Sequence, residues 1–363
     1  MPVSPLAPYD AGAFGCGEDN VRSFKEQLRE RQVAWRRSDL ENQEPGYQNG
    51  KSYPHVLPRK LWEMNLWPGI RTGSALPLPE YLIARPADPI QAHTGVHNLL
   101  SSWVACANLY FPFRREPYRP ILAEFLRATV SDRILSVTGV ELEFALDGEL
   151  HPCELLGESG GSRGSGQTSP DVAFRVEVEN GKQGLVLVEC KLTEHSFYRC
   201  SARTKTGSEQ RPGNPDPSRC TDMPRLLADP EAVCHQRVWS RRYWEHLRPV
   251  TDTSRLSELS ECPASTAGYQ LFRQQALAEG IAASGKYGLV VSCVAYDRRN
   301  EGLMGCLGHA GMDDIRVDWP KLFPGAAMFT TFTHQEWVEW VRQQSRSSEL
   351  DDWLSYVGRR YGY

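Results

Sequence analysis

Residues 172–192 constrain the fold more than any other stretch of this 363-residue chain. Two apolar runs, 172–178 (VAFRVEV) and 184–192 (GLVLVECKL), flank the turn-forming string Glu179-Asn180-Gly181-Lys182-Gln183, the pattern of a β-hairpin. Alternate side chains of a strand face opposite ways. Val172, Phe174, Val176 and Val178 therefore make one face of the first strand, and Val186, Val188, Cys190 and Leu192 one face of the second. The two apolar sets coincide if the loop holds an odd number of residues, for example 180–182. A two-residue turn would expose one set along its whole length. The odd loop is expected, and it sends Asp171, Glu189 and Lys191 out from the opposite face as neighbours.

Two carboxylates and an ammonium then converge. Carboxylate oxygens are the hard donors that Mg²⁺ or Mn²⁺ takes, and the Cys190 carbonyl adds another oxygen nearby. Such an ion activates water and stabilises charge on a phosphoryl oxygen. A lysine beside it orients the attacking water or stabilises the transition-state charge. Cys190 itself points to the apolar face, as a buried and inert thiol.

The flanking sequence supplies the rest of an α/β core. Helices are expected over 19–37 (with Asp19 or Asn20 as cap), 97–110, 120–130, 269–283 and 334–344 (capped by Thr333), from apolar residues at helical spacing and from caps. Strands are expected over 137–146, 287–296 and 329–332. Residues 1–90 read as a partly helical N-terminal extension. Residues 91–363 read as the main domain, interrupted by an irregular, Cys-containing insertion at about 193–267.

Ser169-Pro170-Asp171, the eighteen residues from Asp171 to Glu189, and Glu189-Cys190-Lys191 resemble the Pro-Asp…Glu-x-Lys signature of the PD-(D/E)XK nuclease superfamily, to which many restriction endonucleases belong. The resemblance implies a core of helix, three antiparallel strands, helix and strand, matching the expected order between 120 and 296. The strings HNLLSSWVACANLY, Glu-Cys-Lys-Leu-Thr-Glu and YQLFRQQALA are similar to a group of bacterial restriction-endonuclease-like proteins. By that resemblance Asp171 and Glu189 bind Mg²⁺ or Mn²⁺ and Lys191 assists the attacking water. A further metal-binding carboxylate is expected from the first core helix, with Glu124 as first choice and Glu141 and Glu143 as rivals on the next strand. A catalytic Gln is expected on the second core helix: Gln270, with Gln274 one turn away. The implied activity is phosphodiester hydrolysis in DNA, in restriction or anti-phage defence. A methyltransferase or other defence-system partner, or a homodimer, would fit that role. The alternative is a catalytically silent nuclease fold that binds nucleic acid.

Composition bounds the remaining possibilities. The net charge of −4 means that DNA contact must come from local basic surface, not overall attraction. Residues 237–248 (RVWSRRYWEHLR) interleave Arg237, Arg241 and Arg242 with aromatics; they are candidates for phosphate contact and base stacking, or else an amphipathic helix packed on the core. No apolar run approaches the roughly 20 residues of a membrane span. With no secretory pattern at the N-terminus and ten irregularly spaced cysteines, a cytoplasmic protein with reduced thiols is expected. Cys200, Cys220, Cys234 and Cys262, with His195 and His235 nearby, could form a structural Zn²⁺ site pinning the insertion. The absence of a short C-x₂₋₄-C pair favours ordinary thiols instead. Residues 161–168 (GSRGSGQT) mimic a phosphate loop, but Gln167 stands where the lysine is needed, so a flexible loop is expected.

Overall fold

The computed structural model describes residues 23–73, 76–85, 88–344 and 347–363. A two-stranded ribbon, β1 (Gly46–Gln48) and β2 (Lys51–Tyr53), precedes a five-stranded sheet: β3 (Ile134–Leu142), β4 (Val172–Val178), β5 (Lys182–Lys191), β6 (Leu289–Tyr296) and β7 (Met328–Thr333). Spatial order follows chain order. The pairs β3–β4 and β4–β5 are antiparallel; β5–β6 and β6–β7 are parallel. The helix Tyr269–Ala283 forms the crossover from β5 to β6, and Arg119–Thr129 leads into β3.

The hairpin has the odd loop that burial demands. Val178 pairs with Lys182 and Val172 with Val188, leaving residues 179–181 as a three-residue connection, one position earlier than the 180–182 example. Asn180 (φ 61°) and Gly181 (φ 66°) supply its left-handed backbone, which those residue types adopt at least cost. Val172, Phe174, Val176, Val178, Val186, Val188 and Cys190 accordingly face one apolar layer. Ala173, Leu185 and Leu187 face another. Helices cover the sheet on both sides, which explains why β5 beyond its first two residues and all of β6 are buried.

The first layer joins both ends of the chain. Leu28 and Trp35 of the helix Phe24–Asp39 share it with Trp353 and Tyr361 of the helix Ser348–Tyr361. Arg360, fully buried, sits against the rings of Trp35 (4.5 Å), Tyr361 (4.9 Å) and Tyr356 (5.6 Å). It also donates to the Asn65 carbonyl, which lets a guanidinium stay charged inside. The first helix is capped by Ser23, in a capping box with Glu26; Asp19 and Asn20, the expected caps, lie outside the described residues. Ser348–Tyr361 and Ile315–Leu322 were not anticipated. The C-terminal one carries its apolar residues Leu350, Trp353, Val357 and Tyr361 at helical spacing, whereas Pro320 masks the other. Among the described residues no helix is long and apolar enough to cross a membrane.

Thr333 caps the helix His334–Gln343 as expected, again through a capping box. His334 is fully buried, with Nε2 at 3.1 Å from the Lys191 carbonyl and Nδ1 at 2.7 Å from the Tyr110 hydroxyl. A carbonyl only accepts, so Nε2 carries the proton and Nδ1 accepts from Tyr110. That arrangement requires a neutral ring, and burial pushes the His334 pKa down to about 4. Between that value and the unfolded value near 6.5, the unfolded chain binds the extra proton. Stability is therefore complete above about pH 6.5 and falls as the solution is acidified toward pH 4. At pH 5 the loss from this one ring is about 2 kcal/mol. Urea midpoints measured at pH 7 and pH 5 check this: His334→Gln is expected to narrow the gap between them. An equal gap in the variant would assign the acid sensitivity elsewhere.

One segment differs from expectation and a second follows it. The Gly/Ser loop around 157–168 is pinned, not flexible. Glu158, almost wholly buried, accepts from the Thr168 backbone N–H, the Thr168 hydroxyl (2.8 Å) and Tyr243 (2.6 Å). The insertion between β5 and the Tyr269–Ala283 helix is irregular as expected, made of short helical pieces such as Met223–Ala228 and Tyr243–Leu247. It has its own apolar interior, including Leu226, Tyr243, Trp244 and Leu247.

Candidate functional site

Asp171, Glu189 and Lys191 meet at the end of the β4–β5 hairpin, on the side facing the Tyr269–Ala283 helix. The Lys191 ammonium donates to Glu189 Oε1 (2.7 Å) and to Gln270 Oε1 (2.8 Å). Gln270 Nε2 in turn donates to the same Glu189 oxygen (2.7 Å), closing a three-membered ring of hydrogen bonds. Asp171 Oδ2 accepts from the Cys190 backbone N–H (2.7 Å). Asp171 Oδ1 and Glu189 Oε2 stand outside these bonds. Glu189 and Lys191 are 7% and 2% exposed. Gln274, the other candidate, is a clamp within the fold: it donates to the Leu187 and Cys293 carbonyls and the Ser292 hydroxyl.

The fold places Glu143, and not Glu124, beside Asp171 and Glu189. Glu124 lies exposed on the helix Arg119–Thr129, whose buried face is Leu122, Ala123, Phe125 and Leu126. The strand rival Glu141 is spent on an ion pair with Arg175. Glu143 follows directly after β3, and its backbone turns left-handed (φ 46°), a conformation rare for such a residue and concentrated at functional sites. Its N–H still pairs with the Asp171 carbonyl (3.0 Å), so the two carboxylates come from adjacent chain positions across the sheet. Arg163 holds this turn, donating to the Glu143 carbonyl (2.9 Å) and the Leu142 carbonyl (3.0 Å). Gly164 lets the loop lie against it, since a Cβ there would meet the Gln91 carbonyl oxygen at 2.5 Å and the Glu143 carboxyl at 3.3 Å.

The electrostatics are those of crowded acids. Burial, then the charges of Asp171 and Glu189, holds the Glu143 carboxyl well above the usual carboxylate range. Burial and Glu189 push Asp171 up in the same way, against the opposing pull of Lys191 and the Cys190 N–H. For Lys191, burial alone would lower the pKa, but Glu189, Glu194 and Asp171 outweigh it and raise it. The amine is therefore a cation at neutral pH. Burial would likewise raise Glu194, yet Lys191, the Ser102 hydroxyl and the Leu192 N–H leave it lowered.

Among the described residues no group of three or more His, Cys, Asp or Glu side chains stands ready-made to hold a metal ion. In the acidic cluster, Lys191, Gln270 and the Cys190 N–H occupy one oxygen of Glu189 and one of Asp171. The donor set nevertheless suits a hard divalent cation. Three carboxylates, Glu143, Asp171 and Glu189, interact at one spot, with a single neighbouring ammonium, Lys191, and their oxygens are hard donors.

Sequence reasoning missed two neighbours. Glu194 lies in the Glu-Cys-Lys-Leu-Thr-Glu run, where its carboxylate accepts from the Leu192 and Thr193 N–H groups (2.8 and 3.0 Å). His93 stands near Glu194, Lys191 and Glu189; burial above all lowers its pKa. The exposed ring of Tyr198 lies 5.6 Å from the Lys191 ammonium. The arginines proposed for nucleic acid are largely used within the chain. Arg241 is buried and donates to the Gly157 carbonyl (2.6 Å). Arg237 pairs with Glu245, with Arg242 beside it. Tyr243 and Trp244 are buried and offer no face to a base.

No curated protein and no solved structure matches the chain. A family profile described as "Restriction Endonuclease associating with ARP" matches residues 29–362. That span takes in all five strands of the sheet, the insertion and the acidic cluster together. The chain belongs to this family of restriction endonucleases.

Proposed function

We propose that this protein is a Mg²⁺- or Mn²⁺-dependent endonuclease of the PD-(D/E)XK type, hydrolysing phosphodiester bonds in DNA as part of restriction or anti-phage defence. The convergence of Glu143, Asp171 and Glu189 around the Lys191 ammonium is the observation that carries this reading. The order helix Arg119–Thr129, β3, β4, β5, helix Tyr269–Ala283, β6 supports the same superfamily core.

Asp171, Glu189 and Glu143 would hold the ion. When bound, it supplies activated water at neutral pH and neutralises charge on the phosphoryl oxygen. Lys191 is a cation here, so it acts as a hydrogen-bond donor, not as a base. Its ammonium fixes the attacking water through an oxygen lone pair and stabilises the negative charge that grows on the phosphorus centre. Gln270 holds that ammonium at its post and orients Glu189. Arg163 fixes the Glu143 turn. His334 anchors the Lys191 backbone. The family's stated association with ARP points to a protein partner, alongside any methyltransferase or second copy.

Incubating the purified full chain with unmethylated phage and plasmid DNA tests the reading. Nicking or linearisation is expected with Mg²⁺ or Mn²⁺ and none with EDTA. The same ions should raise the melting temperature, because they bind only the folded cluster; at 100 times the dissociation constant the stabilisation is about 2.7 kcal/mol. A thermal shift without cleavage of any duplex would favour the catalytically silent alternative. Neither effect would remove the metal site.

A further inference from the structure

The insertion gathers four thiols that are far apart in sequence. Cys200, Cys220, Cys234 and Cys262 line a single small cavity of about 20 Å³. The sequence expectation, from the lack of a C-x₂₋₄-C pair, was of ordinary thiols, and their spacing gave no sign of this meeting. Each comes from a different short segment. Cys200 precedes the turn Ser201–Arg203, and Cys220 ends the turn Pro217–Cys220. Cys234 follows the helix Pro230–Val233, and Cys262 lies beyond the helix Thr253–Glu258. The backbone ties two of these segments together, with the Cys262 N–H donating to the Cys220 carbonyl (2.8 Å).

Burial raises the pKa of all four thiols, yet polar hydrogens lie against three of the sulfurs. The backbone N–H groups of Ala202, Gln236 and Ala264 face the sulfurs of Cys200, Cys234 and Cys262, in each case from two residues further on. Gln236 Nε2 donates to Cys200 Sγ (3.1 Å). The Trp244 indole N–H, buried without an oxygen or nitrogen acceptor, faces Cys234. Three neutral thiols in an apolar pocket need no such repeated donors. Thiolates bound to a cation do, because each carries excess charge out of water. The Ser265 hydroxyl and His235 Nδ1 of the same lining are also buried without partners, leaving polar atoms around a space that apolar packing has not filled.

We infer that Cys200, Cys220, Cys234 and Cys262 form a tetrahedral tetrathiolate site for one structural Zn²⁺. A cavity of this size admits a single atom-sized occupant, which suits one ion and leaves no room for an iron–sulfur cluster. The sulfurs do not yet stand in ligating geometry, and closing on the ion at about 2.3 Å draws them into the space they surround. The four protons leave with binding, and no electron changes hands. The ion would pin an insertion that has only short helical pieces of its own. It would also reach the catalytic side of the molecule. Gln236 bridges Cys200 Sγ and the Tyr269 hydroxyl (2.9 Å), at the first turn of the helix that carries Gln270.

The proposal is tested on the full chain purified without chelator, by elemental analysis and by Co²⁺ substitution. One zinc per chain is expected. Cobalt should give visible ligand-field bands of a tetrahedral site together with sulfur-to-cobalt charge-transfer absorption. The double variant Cys220→Ser/Cys262→Ser should lose both signals. Cys153→Ser/Cys306→Ser, outside the cluster, should keep them, and so should Lys191→Ala, which separates this ion from the nuclease centre. If the double variant does not fold, the cobalt spectrum of the wild-type chain decides alone. Stoichiometric iron, zinc below a tenth of the chain concentration with no thiolate–cobalt band, or zinc retained by a folded double variant would overturn the assignment.

Discussion

Glu143→Gln is expected to lower the rate of DNA cleavage at limiting Mg²⁺ by about 100-fold, while Glu124→Gln leaves it within about twofold. The contrast follows from where each carboxylate ends up. Glu143 is 5% exposed and faces Asp171 and Glu189, which with burial raise its pKa. Glu124 lies on the solvent side of its helix. Replacing the acid by its amide keeps size and hydrogen bonding but removes a charge that only a cation compensates. The variant should therefore melt at the same temperature as wild type, or higher, without metal, because one term of the carboxylate repulsion is gone. Its thermal shift with Mg²⁺ or Mn²⁺ should shrink. The two readouts together separate loss of metal binding from loss of fold. Equal activity of Glu143→Gln and wild type at limiting metal would remove Glu143 from the site, and a dead Glu124→Gln would restore the helix carboxylate.

Lys191→Ala is expected to cost about 10³-fold in the cleavage rate at saturating metal, the scale seen when one preorganised donor to a developing charge is removed. The wild-type ammonium is charged and held by Glu189 and Gln270, so the loss should appear in the rate and not in the metal dependence. Gln270→Ala should sit between, about tenfold down, because the glutamine acts through the lysine and Glu189 and not on the phosphate. A stability control is needed, since Lys191→Ala leaves Glu189 buried without its partner. Lys191→Arg serves as the companion variant: it keeps the charge in the cluster but presents a planar fork in place of a compact ammonium. Cleavage that persists in a folded Lys191→Ala protein would sink the catalytic assignment while leaving the metal cluster intact.

The hairpin and its consequences were legible in the chain because strand burial is a local, two-residue rule. Apolar residues at every second position of 172–178 and 186–192 demanded an odd loop, and the loop placed Asp171, Glu189 and Lys191 together. Gln270 was chosen only through the family resemblance, because its helix is buried nearly all round and no periodicity singles out one glutamine. Glu143 was only one of three candidates, since its role depends on a single left-handed residue after Leu142 and on Arg163 and Gly164 arriving from a loop twenty residues away. Neither leaves a periodic trace. The pinned 157–168 loop escaped for the same reason: Glu158 meets Tyr243, 85 residues further along the chain and inside the insertion.

The amino-acid order alone thus determined the β-hairpin, its register and the three groups at its end, because alternation along a strand decides which face each side chain takes. Tertiary packing decided what no periodicity encodes. It brought Glu143 beside Asp171 and Glu189, buried Arg241, and assembled four cysteines from scattered turns around one small space. Such groups meet only when distant segments fold back on each other, and their spacing along the chain carries no record of that meeting.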